Sequence, residues 1–183
     1  LGLNGRFGNQ MFQYATLFSL ANSKGVPFFI PDSVKRSDFE LEGEYELLEA
    51  FSNLSAGIRP VSDPVFTSDK QYVEQSFCYD PNLSLICGGV DLHGYFQSEL
   101  YFKNHREQIK KEFSFSENVV SRCSQFMSEL RSRFPGSNIC SLHVRRGDYQ
   151  GKSEYHTMLS SDTNYYQTCI QGVLHRFPNT TFI

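Results

Sequence analysis

Twice along this chain a run of helical period is followed by a short β-rich run, and that order constrains the fold more than any other feature. Residues 10–24 place Met11, Phe12, Tyr14, Ala15, Leu17, Phe18, Leu20 and Ala21 at helical spacing, and Lys24-Gly25 is a stop signal. Val26-Pro27-Phe28-Phe29-Ile30 then reads as a strand. Near the other end Asp162 caps a helix bearing Tyr165, Tyr166, Cys169, Ile170, Val173 and Leu174, and Thr180-Thr181-Phe182-Ile183 follows as a β-branched run. Each helix is also preceded by a strand, Leu1–Asn4 in the first case and Asn138–Val144 in the second. Strand, helix, strand is the βαβ unit, so the expected class is α/β with parallel strands. A parallel strand needs neighbours on both sides. The interrupted runs at Leu1 and Ile183 therefore predict sequence missing at both ends, and more of it at the C-terminus.

Between these units, Phe39, Leu41, Tyr45, Leu48 and Phe51 predict an amphipathic helix over 39–54. Residues 55–90, with Pro60, Pro64 and Pro81, read as loops with a short strand near Tyr72. Val90–Phe96 alternates as a strand, Ser98 with Glu99 opens a helix to about Phe113, and Ser116 opens another. That last helix carries Val119, Val120, Cys123, Phe126, Met127 and Leu130 on one face, and Phe134-Pro135-Gly136-Ser137 ends it. The expected division is a domain over 1–115 and the start of a second over 116–183.

A net charge of -3 argues against a general nucleic-acid binder. No run approaches the ~20 apolar residues of a membrane span, so attachment to a membrane is expected only through an absent N-terminal anchor. The five cysteines show neither a Cys-x-x-Cys pair nor zinc spacing. Cys123, Cys140 and Cys169 sit in apolar patterns and are expected to be buried thiols, while Cys78 and Cys87 flank a short polar segment that a disulfide would close in an oxidising compartment. Asn53, Asn82 and Asn179 begin glycosylation triplets, a weak signal in a chain this long. His93, His105, His156 and His175 form no metal-ligand pattern, and His105 and His175 are expected to be solvated on helices.

Two motifs carry the chemistry. Gly5-Arg6-Phe7-Gly8-Asn9-Gln10 lies between a strand and a helix. Its glycines allow a tight turn and close approach of a ligand, and amides at a helix start suit an anion or a sugar hydroxyl. Asn9 and Gln10 add neutral donors and acceptors. The residues alone leave open a plain strand–helix turn with no ligand. The three-glycine spacing of a dinucleotide fingerprint is absent.

His143-Val144-Arg145-Arg146-Gly147-Asp148 ends a predicted buried strand. That edge of an open α/β sheet is where ligands bind, and a guanidinium fork matches phosphate. Alternation puts His143 and Arg145 on one face and turns Arg146 away, within reach of Asp148. A structural Arg–Asp salt bridge is the competing reading. An Arg-Gly-Asp adhesion tripeptide is disfavoured because these residues follow a core strand directly. Glu154 and His156 place a carboxylate and an imidazole in the polar loop beyond.

Gly-Arg-Phe-Gly-Asn-Gln-Met-Phe-Gln-Tyr-Ala at 5–15, Gly-Tyr-Phe-Gln-Ser-Glu at 94–99 and His-Val-Arg-Arg-Gly-Asp-Tyr at 143–149, with Tyr165-Tyr166 beyond them, resemble the α-1,2-fucosyltransferases, glycosyltransferase family 11. The resemblance runs over essentially the whole chain in the family's order. It implies two Rossmann-like domains facing across a cleft, the GT-B architecture, with the C-terminal domain here incomplete. It implies inverting transfer of fucose from GDP-fucose to the 2-hydroxyl of a terminal galactose on a glycan, with no metal or other cofactor required. Arg145 would contact the β-phosphate, with Arg146 supporting the motif and Asp148 orienting it. His143 and Gly8 would belong to the donor site, and Asn9 would face the cleft near the sugar or acceptor. Glu154 resembles the base of related α-1,6 enzymes, and a largely dissociative path without a strong base is the alternative. Another fucosyltransferase class, α-1,6 or protein O-linked, shares the arginine motif, and a non-catalytic nucleotide-sugar or carbohydrate-binding module is the rival from a different class. A eukaryotic source implies the Golgi lumen, and a bacterial one the cytoplasm.

Overall fold

The computed structural model describes residues 5–34, 43–44, 46–60, 70–144 and 163–183. The chain divides into two compact units, Leu1–Val120 and Ser121–Ile183. Helices alternate with small, mostly parallel sheets, so the class is α/β.

The first unit is organised around α1 (Phe7–Lys24), capped by Gly25 in the left-handed conformation as the Lys24-Gly25 signal predicts. Its inward residues include Tyr14, Ala15, Phe18 and Ala21 and also Gln10, Gln13, Thr16 and Ser19, so the helix is covered on more than one side. After it come β1 (Phe29–Pro31), β2 (Ser33–Val34), β3 (Gly43–Glu44), α2 (Glu46–Ala50) and β4 (Gly57–Arg59). β1 and β4 pair in parallel, with Ile30 opposite Ile58, while β2 and β3 pair antiparallel. The helix expected over 39–54 is reduced, among the described residues, to the five residues of α2. Phe51 leaves the helix to bridge Phe115, and its ring packs against Phe7, Phe113 and Phe115. Its amide still donates to the Leu47 carbonyl at 3.1 Å, so the last helical hydrogen bond is kept while the ring is buried in this cluster. β4 lies in the stretch expected to be irregular.

β5 (Gln71–Val73) pairs in parallel with β6 (Asp91–His93), Tyr72 opposite Leu92. Between them Pro81–Leu85 forms a 3-10 turn that begins at Asp80. The helix expected from Ser98 to Phe113 is broken: 3-10 turns at Glu99–Tyr101 and Lys103–His105 precede α3 (Arg106–Glu112). Phe102 adopts φ -136°, outside the helical range. This break moves His105 inward, against expectation. Its Nδ1 lies 2.9 Å from Ser19 Oγ, and its ring stands edge-on to Phe18.

A polar tie also holds α1 to α3. The Tyr14 hydroxyl donates to Glu112 Oε2, and the Ser55 amide donates to both groups, at 3.1 and 2.7 Å. Burial, and then the Glu112 carboxylate, push the Tyr14 phenol well above the ordinary tyrosine range.

α4 (Glu117–Arg133) follows as expected from the Ser116 start. In the second unit, β7 (Asn138–Cys140) and β8 (Thr180–Phe182) pair in parallel around α5 (Thr163–Arg176), the predicted βαβ unit. β7 covers three residues of the expected seven, although Leu142 still donates to the Ile183 carbonyl at 2.8 Å. The expectation of buried thiols is corrected. Cys123 is exposed because on the apolar face of α4 only Leu130 is fully covered; Cys169 on α5 is also exposed, and Cys140 on β7 is half-buried. Cys78 and Cys87 are both free and exposed, without the disulfide considered for them. His175 is exposed on α5, as predicted. No described helix is long and apolar enough to cross a membrane.

Candidate functional site

The first motif opens α1 rather than preceding it, since Gly8, Asn9 and Gln10 already belong to the helix. Arg6 is the N-cap in an extended conformation, and the Gln10 amide donates to its carbonyl at 3.0 Å. No acidic side chain stands in the first turn, so the positive end of the helix dipole is not neutralised from within that turn. Gly5 is required here. It sits at φ +82°, and a Cβ at this position would run into the Asn9 side chain at 1.7 Å. At Gly8 a Cβ would meet nothing within 4 Å, so the space beside it is open.

The structure brings this motif onto the Gly94–Glu99 motif. Gln97 Nε2 donates to Asn9 Oδ1 at 2.6 Å, and Gln13 Nε2 donates to the Gly94 carbonyl at 3.0 Å. Asn9 is half-buried at this junction. Gln10, expected to face a ligand, is instead buried, and its Oε1 has no hydrogen-bond partner among the described residues. The side chain at a helix's fourth position turns with the buried stripe of Gln13 and Tyr14, not with the open end.

One residue that organises the 94–97 segment carries no sequence signal of its own. The Glu74 carboxylate, just past β5, accepts the Tyr95 amide at 2.7 Å and the Phe96 amide at 3.1 Å. Phe96 has φ +51°, a strained value for a bulky side chain. Two features hold it there: the amide contact to Glu74, and burial of the ring between Tyr72 and Tyr101. Gly94 allows this approach, because a Cβ there would strike Glu74 Cβ at 2.5 Å. Only the tertiary pairing of β5 and β6 places Glu74 beside these amides.

Asp91 and His93 share one face of β6, with His93 Nε2 2.8 Å from Asp91 Oδ2. A cavity of about 200 Å³ opens at the carboxyl ends of β5 and β6, beside His93, Tyr95, Glu74 and Phe77. A larger cavity of about 580 Å³ lies between α1, β1 and β6, with walls formed mostly by side chains such as Leu17, Leu20, Phe29 and Leu92. Behind the smaller cavity, the Tyr72 hydroxyl donates to Asp80 Oδ2 at 2.6 Å, and the Asp80 amide donates to Tyr101 Oη at 2.8 Å.

Of the second motif, His143 is described and exposed. Arg145, Arg146, Gly147, Asp148, Glu154 and His156 lie outside the described residues, as does Asp162. On α5 the Tyr165 and Tyr166 rings meet edge to face at 5.4 Å, with Tyr165 exposed. Asn53, Asn82 and Asn179 are all exposed, but Asn179 commits its side-chain nitrogen to the Gly136 carbonyl at 2.7 Å. Among the described residues, no group of three His, Cys, Asp or Glu side chains is placed to hold a metal ion.

The model of a family described as glycosyl transferase family 11 matches residues 79–183, which include the Gly94–Glu99 and His143–Asp148 motifs. The chain is 28% identical over 198 residues to galactoside alpha-(1,2)-fucosyltransferase 2 of Mus musculus, covering 98% of this chain and 49% of that protein. It is 31% identical over 149 residues to galactoside alpha-(1,2)-fucosyltransferase 1 of Pan troglodytes, covering 80% and 38%. Against the O-antigen biosynthesis glycosyltransferase WbnK of Escherichia coli it is 28% identical over 202 residues, covering 93% and 66%. The chain thus spans about half the length of the mammalian relatives it matches. No solved structure matches it.

Proposed function

This chain belongs to glycosyl transferase family 11, and from that premise we propose that it is part of a galactoside α-1,2-fucosyltransferase. The observation that carries the reading is that a relative named as such an enzyme aligns over 98% of the chain, so both motifs lie within the aligned length. On this reading the donor is GDP-fucose, the acceptor a glycan ending in galactose, and the architecture GT-B. The residues from Arg145 onward bind the donor, and the unit built on α1 contributes the acceptor side.

The reaction is an inverting displacement. The galactose 2-hydroxyl oxygen forms a bond to fucose C1, the bond from C1 to the diphosphate oxygen breaks, and GDP departs with the electron pair. Charge grows on the diphosphate as it leaves, and a preorganised guanidinium stabilises that charge more in the transition state than in the ground state. Arg145 takes this role, so no metal ion is needed. Arg146 and Asp148 hold the motif in place, and His143, just before them in the chain, belongs to the donor site. The hydroxyl proton goes to Glu154, or to solvent if the path is largely dissociative. Asn9 orients the acceptor or the sugar from the start of α1. The open space beside Gly8 and the Asn9–Gln97 contact support that assignment. In an animal cell the protein acts in the Golgi lumen; in a bacterium it acts in the cytoplasm.

The test is incubation of the full-length protein with radiolabelled GDP-fucose and a panel of acceptors: a β-galactoside, an N-glycan core and a folded peptide domain. The reading expects transfer to the galactoside, with an α-1,2 linkage by NMR. Transfer to the core or the peptide instead would assign it to another fucosyltransferase class. Tight GDP binding without transfer would make it a binding module.

A further inference from the structure

The cavity at the carboxyl ends of β5 and β6 has no role in the donor chemistry above, and its own features select a ligand. It lies at the strand edge where open α/β sheets bind ligands. Its volume of about 200 Å³ falls below the ~300–1,000 Å³ of pockets that enclose cofactors and drug-sized molecules. That is the scale of one sugar ring rather than a nucleotide. Charge points the same way. Glu74 lines the cavity, and no Lys or Arg does among the described residues. A diphosphate would be repelled there, whereas a neutral polyol would not.

The walls divide into an apolar and a polar side. Phe77 is 73% exposed, and its ring lies 5.6 Å from that of Tyr95 at an angle of 47°. An exposed Phe77 ring beside the half-buried Tyr95 matches the C–H face of a pyranose, whose hydrogens carry partial positive charge toward the ring's negative face. Across the cavity, His93 Nε2 is engaged by Asp91 Oδ2, and among the described residues its Nδ1 has no hydrogen-bond partner. Because the Asp91 carboxylate only accepts, Nε2 carries the proton, and the Nδ1 of the neutral ring is an acceptor for a sugar hydroxyl. The Glu74 carboxylate is occupied by the Tyr95 and Phe96 amides, so its structural role is to fix the backbone that carries Tyr95.

We propose that this cavity seats the terminal hexose of the acceptor, with Phe77 and Tyr95 against the apolar face of the sugar and His93 toward one of its hydroxyls. The proposal rests on the fucosyl-transfer reading above and extends it to the acceptor's own contacts.

The experiment uses the full-length protein and Phe77→Ala, an exposed position whose truncation leaves the core untouched, with Phe77→Tyr as the aromatic control. Steady-state transfer to a β-galactoside is measured alongside hydrolysis of GDP-fucose without acceptor. Saturation-transfer NMR with methyl β-galactoside reports binding directly. The expected result is an acceptor KM raised about tenfold or more in Phe77→Ala, an unchanged KM for GDP-fucose, unchanged donor hydrolysis, and near-normal behaviour of Phe77→Tyr. An acceptor KM within about twofold of the parent overturns the proposal. If the parent protein transfers no fucose, the reading above has failed, and a methyl β-galactoside signal lost in Phe77→Ala still supports the site. No sugar signal from the parent protein overturns the site as well.

Discussion

Gln97 donates its side-chain amide to Asn9 Oδ1 at 2.6 Å, joining two motifs that lie 88 residues apart. The bond ties the first turn of α1 to the segment that follows β6. A neutral hydrogen bond of this kind contributes about 0.5–1.5 kcal/mol. In a double-mutant cycle, Asn9→Ala and Gln97→Ala should be non-additive by about that amount, both in denaturant midpoint and in transfer rate. Additive effects would show that the two side chains act independently.

Glu74→Ala should destabilise the protein by about 2 kcal/mol, because the Tyr95 and Phe96 amides lose a charged acceptor. Phe96 would then hold φ +51° with only the burial of its ring to support it. Glu74→Gln keeps one carbonyl acceptor and should fall between the two. Urea unfolding of the three proteins provides the comparison, and a midpoint for Glu74→Ala equal to that of the parent contradicts the account.

Asp80 makes the acid limb of stability sensitive to Tyr72. The Tyr72 hydroxyl, followed by the Asn82 amide, holds the Asp80 carboxyl below the usual carboxylate range. A depressed folded-state value stabilises the protein above the unfolded carboxyl's titration, and the contribution is lost as pH falls through the folded value. Tyr72→Phe removes the largest of the lowering causes. Carbon-13 titration should show Asp80 moving up toward its ordinary value. The stability gap between the two proteins should be open near neutrality and close in acid; a gap independent of pH rules out this linkage.

Arg145→Ala should abolish transfer in the full-length protein, and Arg145→Lys should restore little. A lysine supplies a point charge but not the two-pronged fork that a diphosphate takes. Stopped-time assays with labelled donor measure this, and near-normal turnover in the lysine variant removes the bidentate role.

If Arg145 stabilises the departing diphosphate as proposed, transfer should also persist in excess EDTA, because a guanidinium then supplies the positive charge that a divalent cation otherwise would. Loss of activity on chelation, with recovery on adding Mn²⁺ or Mg²⁺, contradicts that assignment.

Elements whose signals lie within a few turns of chain were legible before folding. α1 ends at Lys24-Gly25 because Gly25 takes a left-handed cap that other residues resist. α4, α5 and the β7–β8 pair follow the spacing of their apolar and β-branched residues. The family resemblance also rests on contiguous motifs, so it could be read from the order of residues. Tertiary contact decided the rest. Phe51 leaves its helix for an aromatic cluster, Phe102 breaks the helix after Ser98, and His105 turns inward to Ser19. Glu74 acquires a role only when β5 and β6 pair, and Gln97 reaches Asn9 only when the segment after β6 folds over α1. Local pattern specifies a helix or a strand through backbone preferences a few residues long. The partner of a carboxylate or an amide far along the chain is chosen by packing, which no short window of sequence contains.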